Sequence, residues 1–410
     1  MKAFWGWTIT LGLTLRILMS WVIYSGDLNN HIGWAKSILS FGSKGAYDRD
    51  YVGIMQPTYP PLSLYNFTAS QWLFDQTYSL AWWFNKGIPI FPSRIIWLLE
   101  IQNVMPSFYK ILAMVSDVGV ALLVYRLARK IGLSKSKSLL TYLLCLFNPA
   151  VWYISSLWGQ IESIPLFFLL LGWWYVSKSQ SILSVLAVTA ALLTKQSTVI
   201  LIPVYVIWII KKWRLPNILK AVGTGVVVTY LIYLPFWQKP QIEWPITVYL
   251  DRLETGSGSN FISDHAFNPW AAYSHLEKIS DKNVRPWAVL GFVSAFVLII
   301  TKFYKKTTLE MAMHANGLIV ISSFLLMTRM HERYLAPALP FLAVFAPTSG
   351  LWFVLYVLIS FGHQINLYNH WWVPTIQSWV RFSESWTTIY AVIITLTISW
   401  VIWLYKYENR

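Results

Sequence analysis

Apolar stretches long enough to approach the roughly 30 Å hydrocarbon core of a bilayer recur along this 410-residue chain from end to end. No other feature narrows its fold as far. Read by apolar length and flanking charge, the segments fall near 4–24, 108–128, 139–155, 162–177, 181–194, 197–210, 217–237, 286–303, 311–328, 335–347, 350–365 and 384–404, about twelve in all. The expected fold class is an all-α membrane protein, one polytopic domain spanning 1–410. Several segments are short for a full crossing, which predicts tilted helices or spans that stop beside a cavity. The first, Phe4 to Tyr24, is too long for the apolar core of a signal peptide and lacks a small-residue cleavage site, so it reads as a retained span.

Composition supports this and removes other classes. With 56% hydrophobic and 12% charged residues the chain is neither disordered nor a coat for nucleic acid. Its 25 Trp and 23 Tyr suit a large area at headgroup level. The net charge of +15 would elsewhere suggest a polyanion partner, so its placement decides its meaning. With both termini cytoplasmic, the cytoplasmic connections hold Lys2, Arg126, Arg129, Lys130, Lys135, Lys137, Lys178, Lys211, Lys212, Arg214, Lys220, Lys302, Lys305, Lys306, Lys406 and Arg410 against Glu310 and Glu408. The opposite face is nearly balanced, so the excess reports topology and no nucleic-acid partner is expected. Cys145 is the one cysteine, which excludes an intramolecular disulfide and a cysteine metal cluster.

Two extracytoplasmic loops are long, 25–107 and 238–285, and long loops in compact proteins usually carry function. In the first, Leu28, Ile32, Ala35 and Leu39 recur at helical spacing, with Asp27 placed to cap the start and Gly42 to end it. That pattern predicts an amphipathic helix on the membrane surface. After Pro60 and Pro61, the apolar run 62–74 predicts a second interfacial or re-entrant helix, too short to span. Asp27 emerges from a helix end, where a partly dry cleft would raise its basicity and suit it to deprotonate a hydroxyl; capping alone is the plainer reading. His31 and Trp34 follow on the same loop, and Tyr59 precedes the double proline. Trp158, Gln160 and Glu162, in the run after Asn148-Pro149, offer the stacking and hydrogen-bonding groups that sugar hydroxyls need. Lys195-Gln196, Arg252 and the run Arg329-Met330-His331-Glu332-Arg333-Tyr334 supply basic groups that fit a phosphate at the membrane surface, or else a mutual network with Glu332. Arg16 and Asp117 fall at similar depth in adjacent spans, roughly 12 to 14 Å in, which predicts a structural ion pair.

Taken in order, an Asp-containing first loop, then YPPL, Ser116-Asp117, NP with WGQIES, LTKQ, Arg252 with AFNPW, and MHERYLAPALP, the chain from about 25 to 345 resembles the GT-C membrane glycosyltransferases. Within that superfamily it looks most like the dolichyl-phosphate-glucose-dependent glucosyltransferases of N-glycan precursor assembly, with bacterial relatives of the GPI mannosyltransferases next. The resemblance implies inverting transfer of a hexose, glucose or mannose, from a polyprenyl- or dolichyl-phosphate-linked donor to a glycan or glycolipid hydroxyl, on the extracytoplasmic face of a cell membrane or the luminal face of the endoplasmic reticulum. It implies Asp27 as base; Lys195-Gln196 and His331-Glu332-Arg333 match its Lys-Gln and His-Glu-basic elements. Three residues separate Asp27 from His31, where the glucosyltransferases have a longer interval and an adjoining His-Trp, so the sugar and acceptor are not carried over. The donor phosphate is assigned Lys195, Arg252, Arg329, His331 and Arg333. Sugar or acceptor is assigned His31, Trp34, Tyr59, Trp158, Gln160, Glu162, Gln196 and Glu332. No metal and no cofactor is expected, Lys or Arg neutralising the leaving phosphate instead. The competing expectations are a flippase or transporter for lipid-linked sugars, and a lipid-binding scaffold without catalysis.

Overall fold

The computed structural model describes residues 2–238, 241–255 and 260–409. Met1, Arg410, and residues 239–240 and 256–259 of the second long loop, lie outside it. The described residues are helical, with isolated β-bridges at Phe261–Ser280 and between Asp264, His265 and His331, and no strand. In chain order the helices are α1 (Lys2–Ser20), α2 (Asp27–Phe41), α3 (Pro61–Gly87), α4 (Arg94–Glu100), α5 (Val104–Ile131), α6 (Lys135–Leu146), α7 (Pro149–Trp152), α8 (Ser163–Val176), α9 (Ser181–Thr194), α10 (Ile202–Lys212), α11 (Leu215–Tyr233), α12 (Trp244–Thr255), α13 (Pro269–Ser274), α14 (Arg285–Lys305), α15 (Leu309–Leu326), α16 (Ala338–Ala343), α17 (Gly350–His370), α18 (Gln377–Glu384) and α19 (Trp386–Glu408).

Among the described residues seven helical segments are long and apolar enough to cross a membrane: α5, the run Lys135–Trp158, Leu215–Phe236, α14, α15, α17 and α19. They correspond to the expected segments near 108–128, 139–155, 217–237, 286–303, 311–328, 350–365 and 384–404. The segment expected at 4–24 is α1, a continuous helix of 19 residues ending at Ser20, and the remaining four differ in form. At 14 residues each, α8 and α9 are about 21 Å long. The stretch expected at 197–210 divides into a 3-10 turn, Gln196–Leu201, and α10. That expected at 335–347 is broken into 3-10 turns, Glu332–Leu335 and Ala346–Thr348, on either side of the six-residue α16. Pro337, Pro340 and Pro347 lack the amide hydrogen a continuous ladder requires, and the segment is tolerated because it is packed inside protein.

Burial sorts the helices into layers. α15 is enclosed on all sides, Met311 through Leu325 being buried, and forms the axis of the main core with α5, α8, α16, α17 and α19. The Leu215–Phe236 segment and α14 lie at the periphery and turn large apolar side chains outward, among them Leu219, Val227, Leu231, Leu290, Val297 and Leu298. Apolar faces of that extent suit a lipid surrounding.

A second core lies beneath the long loops. It joins Leu28, Trp34, Tyr47, Leu64 and Phe67 of the first loop to Tyr233, Phe236, Trp244 and Val248 around the second. Arg252 Nη2 donates to the Tyr47 carbonyl at 3.1 Å, so the two loops meet. This corrects two expectations. The buried stripe of α2 runs through Leu28, His31, Ile32, Trp34, Ala35 and Ile38, while Leu39 is exposed. That face packs on α3, so protein rather than a bilayer surface covers it. The run begun at 62–74 continues as the 27-residue α3 through Thr77 and Trp83. Its N-terminal half is fixed by Leu64, Phe67 and Gln71, which are buried. Gly42, at φ 78°, ends α2 in the left-handed region that favours glycine.

Candidate functional site

The segment 153–163 carries Trp158, Gln160 and Glu162, and α5 holds it at both ends. Asp117 accepts from Ser155 Oγ at 2.6 Å through Oδ2 and from Ser163 Oγ through Oδ1. The same Oδ2 lies 2.8 Å from Arg16 Nε, with both side chains fully buried. Arg16 spends its remaining nitrogens on the carbonyls of Gly12 and Leu146, at 3.0 and 2.9 Å. Two turns before Asp117 on the same helix, Lys110 Nζ contacts the carbonyls of Ser156 and Leu157. Gly159 then takes φ 86°, where a Cβ would lie 3.2 Å from Lys110 Cε, and the chain turns to present Gln160.

Residues distant in sequence converge there. Gln160 Nε2 donates to Asp27 Oδ2 at 2.6 Å, and Arg333 Nη2 stands 3.9 Å from the same oxygen. Lys195 Nζ lies 2.5 Å from Glu162 Oε1, and Arg333 Nε lies 3.4 Å from that oxygen. Arg333 Nη1 donates to Glu332 Oε1 at 2.8 Å. Lys195 sits over the rings of Tyr59 and Tyr334, and Arg333 over those of Trp158 and Tyr334, so aromatic faces wall the charges. Trp158 stacks between His370 and Trp371, at centroid distances of 5.5 and 5.6 Å. Asp27 is the exposed member, at 50% of its side chain, against 7% for Glu162 and 12% for Arg333. The dry cleft expected around Asp27 is therefore an open one. Nor does Asp27 cap α2: it is the first helical residue, and its carboxylate is used by Gln160.

Electrostatics are set by enclosure. Burial, followed by the charges of Lys195 and Arg333, pushes the His31 imidazole down to about 3, so it is neutral at pH 7. It lies flat on Phe67 at 4.1 Å and beside Trp34 and Tyr59, which makes it part of the wall. His331 is also held well below the ordinary imidazole range, by burial first and Arg333 second. Its Nε2 faces Asp264 at 3.6 Å. For Glu332, burial pushes the carboxyl up, but Arg333, His370 and His331 outweigh it and leave it lowered. Several buried polar atoms at this place have no hydrogen-bond partner among the described residues: Gln160 Oε1, Glu162 Oε2, Glu332 Oε2, Arg333 Nε, His31 Nδ1 and Gln196 Oε1. Orphaned atoms gathered at one place are groups a hydroxyl-rich ligand or water would satisfy. No group of three or more His, Cys, Asp and Glu among the described residues is arranged to hold a metal ion.

Two expected members, Arg329 and Arg252, stand apart from these contacts. Arg329 is committed to Asp281 through Nε at 2.7 Å and Nη2 at 3.0 Å, which secures the second loop. Arg252 packs over Tyr47, donates to the Tyr47 carbonyl at 3.1 Å and faces Asp251 at 3.3 Å. Trp34 donates to the Met55 carbonyl. Gln196 is spent on the carbonyls of Thr58 and Arg252, which ties Tyr59 and α12 to the site. Conversely, Lys110, Asp264, His265, His370 and Tyr334 enter from outside the expected set. For Lys110 a signal existed, an ammonium in an apolar helix seven residues before Asp117, on the same face.

No protein-family model matches the chain, and no curated protein sequence matches it.

Proposed function

We propose that the chain is an integral membrane glycosyltransferase of the GT-C type, moving a hexose from a polyprenyl-phosphate-linked donor to a hydroxyl of a glycan or lipid acceptor with inversion. The observation that carries the reading is the convergence of a half-exposed carboxylate, Asp27, with Gln160 and Arg333, which are distant in sequence, in a site rich in unpartnered polar atoms. In this reading Asp27 takes the proton of the acceptor hydroxyl. The hydroxyl oxygen forms a bond to the anomeric carbon as the carbon–oxygen bond to phosphate breaks, and the electron pair leaves on the phosphate. Lys195 donates one hydrogen bond to Glu162, and Arg333 Nη1 donates one to Glu332, so both retain N–H donors for the departing phosphate oxygens. Gln160 orients Asp27, Tyr59 and Tyr334 offer apolar faces to a sugar ring, and Trp158, buried against His370 and Trp371, backs the site. About twelve spans, with both termini cytoplasmic and the site extracytoplasmic, complete the proposal.

The test is Asp27→Asn, which keeps an oxygen for Gln160 Nε2 and removes the base. In proteoliposomes supplied with polyprenyl-phosphate hexoses, kcat should fall by roughly 10² to 10⁴ with donor binding retained. Undiminished transfer would remove Asp27 from the mechanism. Donor crossing the bilayer with no new glycosidic product would replace the reading with a transporter.

A further inference from the structure

Lys110 is buried within α5, with its side chain shut off from solvent. Its partners among the described residues are four backbone carbonyls and no carboxylate: Ile23 at 2.5 Å, Ser156 at 2.8 Å, and Ser20 and Leu157 at 3.0 Å. An ammonium has three donors, so four converging oxygens form a cage of the kind that suits a monovalent cation. The four carbonyls come from two places. Ser20 and Ile23 lie at and just beyond the C-terminal end of α1, and Ser156 and Leu157 in the last turn of the run Lys135–Trp158. Each helix C-terminus carries roughly half a negative charge, so two together balance about one ammonium. That charge balance accounts for a buried lysine without an acidic partner.

Both terminated segments lead into the site. Past Ile23 the chain reaches Ser25, whose amide donates to the Trp158 carbonyl at 3.1 Å, and then Asp27. Past Leu157 it reaches Gly159, whose missing Cβ leaves room for the Lys110 stem, and then Gln160. The cage therefore sits at the junction from which Asp27 and Gln160 are delivered to one another.

We propose that Lys110 is a positioning residue, a tethered monovalent cation that fastens the ends of two helices and thereby sets the Asp27–Gln160 pair. Its bearing on catalysis rests on the transferase reading; its bearing on geometry does not. Lys110→Met keeps the stem and removes the charge. Hydrogen exchange followed by mass spectrometry should then show peptides covering 21–30 and 153–162 exchanging about tenfold faster or more, with α14 and α19 unchanged. Unaltered exchange in both peptides of a folded variant overturns the proposal. Should Lys110→Met not fold, Lys110→Ala decides, because the piece it lacks is n-propylammonium. Millimolar n-propylammonium should raise its unfolding temperature where propan-1-ol and tetramethylammonium, which lack the charge or the N–H donors, do not. An equal response to all three, or to none, overturns the cage. In the transfer assay Lys110→Met should lower kcat by about 10² while donor KM changes little, the cost of a misplaced base. Exchange and amine effects as described, in a protein that never transfers sugar, would sink the transferase reading and leave the cation role standing.

Discussion

Removing Lys195 should cost more than removing the carboxylate it pairs with. The ionised groups in mutual contact are Asp27, Glu162 and Glu332 against Lys195 and Arg333, one carboxylate in excess. Lys195→Met leaves three carboxylates facing one guanidinium, whereas Glu162→Gln leaves two facing two cations. At 2.5 Å and an effective dielectric near 20, the Lys195–Glu162 attraction is of order 6 to 7 kcal/mol before desolvation is subtracted. With side chains only 8% and 7% exposed, stranding the carboxylate should cost about 3 to 5 kcal/mol net. Glu162→Gln, whose amide oxygen can still accept from Lys195, should cost about 1 to 2 kcal/mol. The double variant should then cost less than the sum by about 0.5 to 3 kcal/mol, because the stranded charge no longer exists. Reversible unfolding in mixed dodecylmaltoside and SDS micelles measures all three. Equal costs for the two single variants, or strict additivity in the double, would refute the charge tally.

Acid should loosen the same region. His31 and His331 are held below their ordinary value when folded, so the unfolded chain binds protons first, and their contribution, complete above about pH 6.5, is lost as pH falls toward 4 and 3. Glu332, also lowered, adds a loss in the same direction below the ordinary carboxylate range. Unfolding midpoints recorded from pH 7.5 to 4.5 should decline, and His31→Phe, which preserves the stack on Phe67, should flatten the decline; a flat native profile contradicts it. Arg329→Ala breaks a two-point pair to an Asp281 that is 1% exposed and should cost about 3 to 5 kcal/mol locally. Limited proteolysis should then cut the second long loop around 260–282 faster than in native protein, and an unchanged cleavage rate would remove Arg329 from loop anchoring.

What the sequence determined by itself was local and periodic. Uninterrupted apolar length marked the segments that became the long helices α5, α14, α15, α17 and α19. Glycine at 42 and prolines at 60 and 61 marked where α2 stops and α3 starts, since backbone torsions answer to the residue in place. Two charges at matching depth, Arg16 and Asp117, marked themselves as partners because neither tolerates an apolar surrounding alone. Tertiary structure decided matters in which pairing is set by packing between distant segments. Arg329 and Arg333 stand four residues apart in one basic run, yet Arg329 at φ 62° turns to Asp281 while Arg333 turns to Glu162 and Glu332. Nothing in their spacing distinguishes them; the second loop folding over one of them does. Apolar content likewise marked 335–347, and burial against α15 allowed Pro337 and Pro347 to interrupt it on either side of α16 without exposing backbone to lipid. Lys110 is the clearest instance. Its partners are main-chain carbonyls, which every residue carries and no sequence pattern displays, so only the meeting of two helix ends could show what that charge is for.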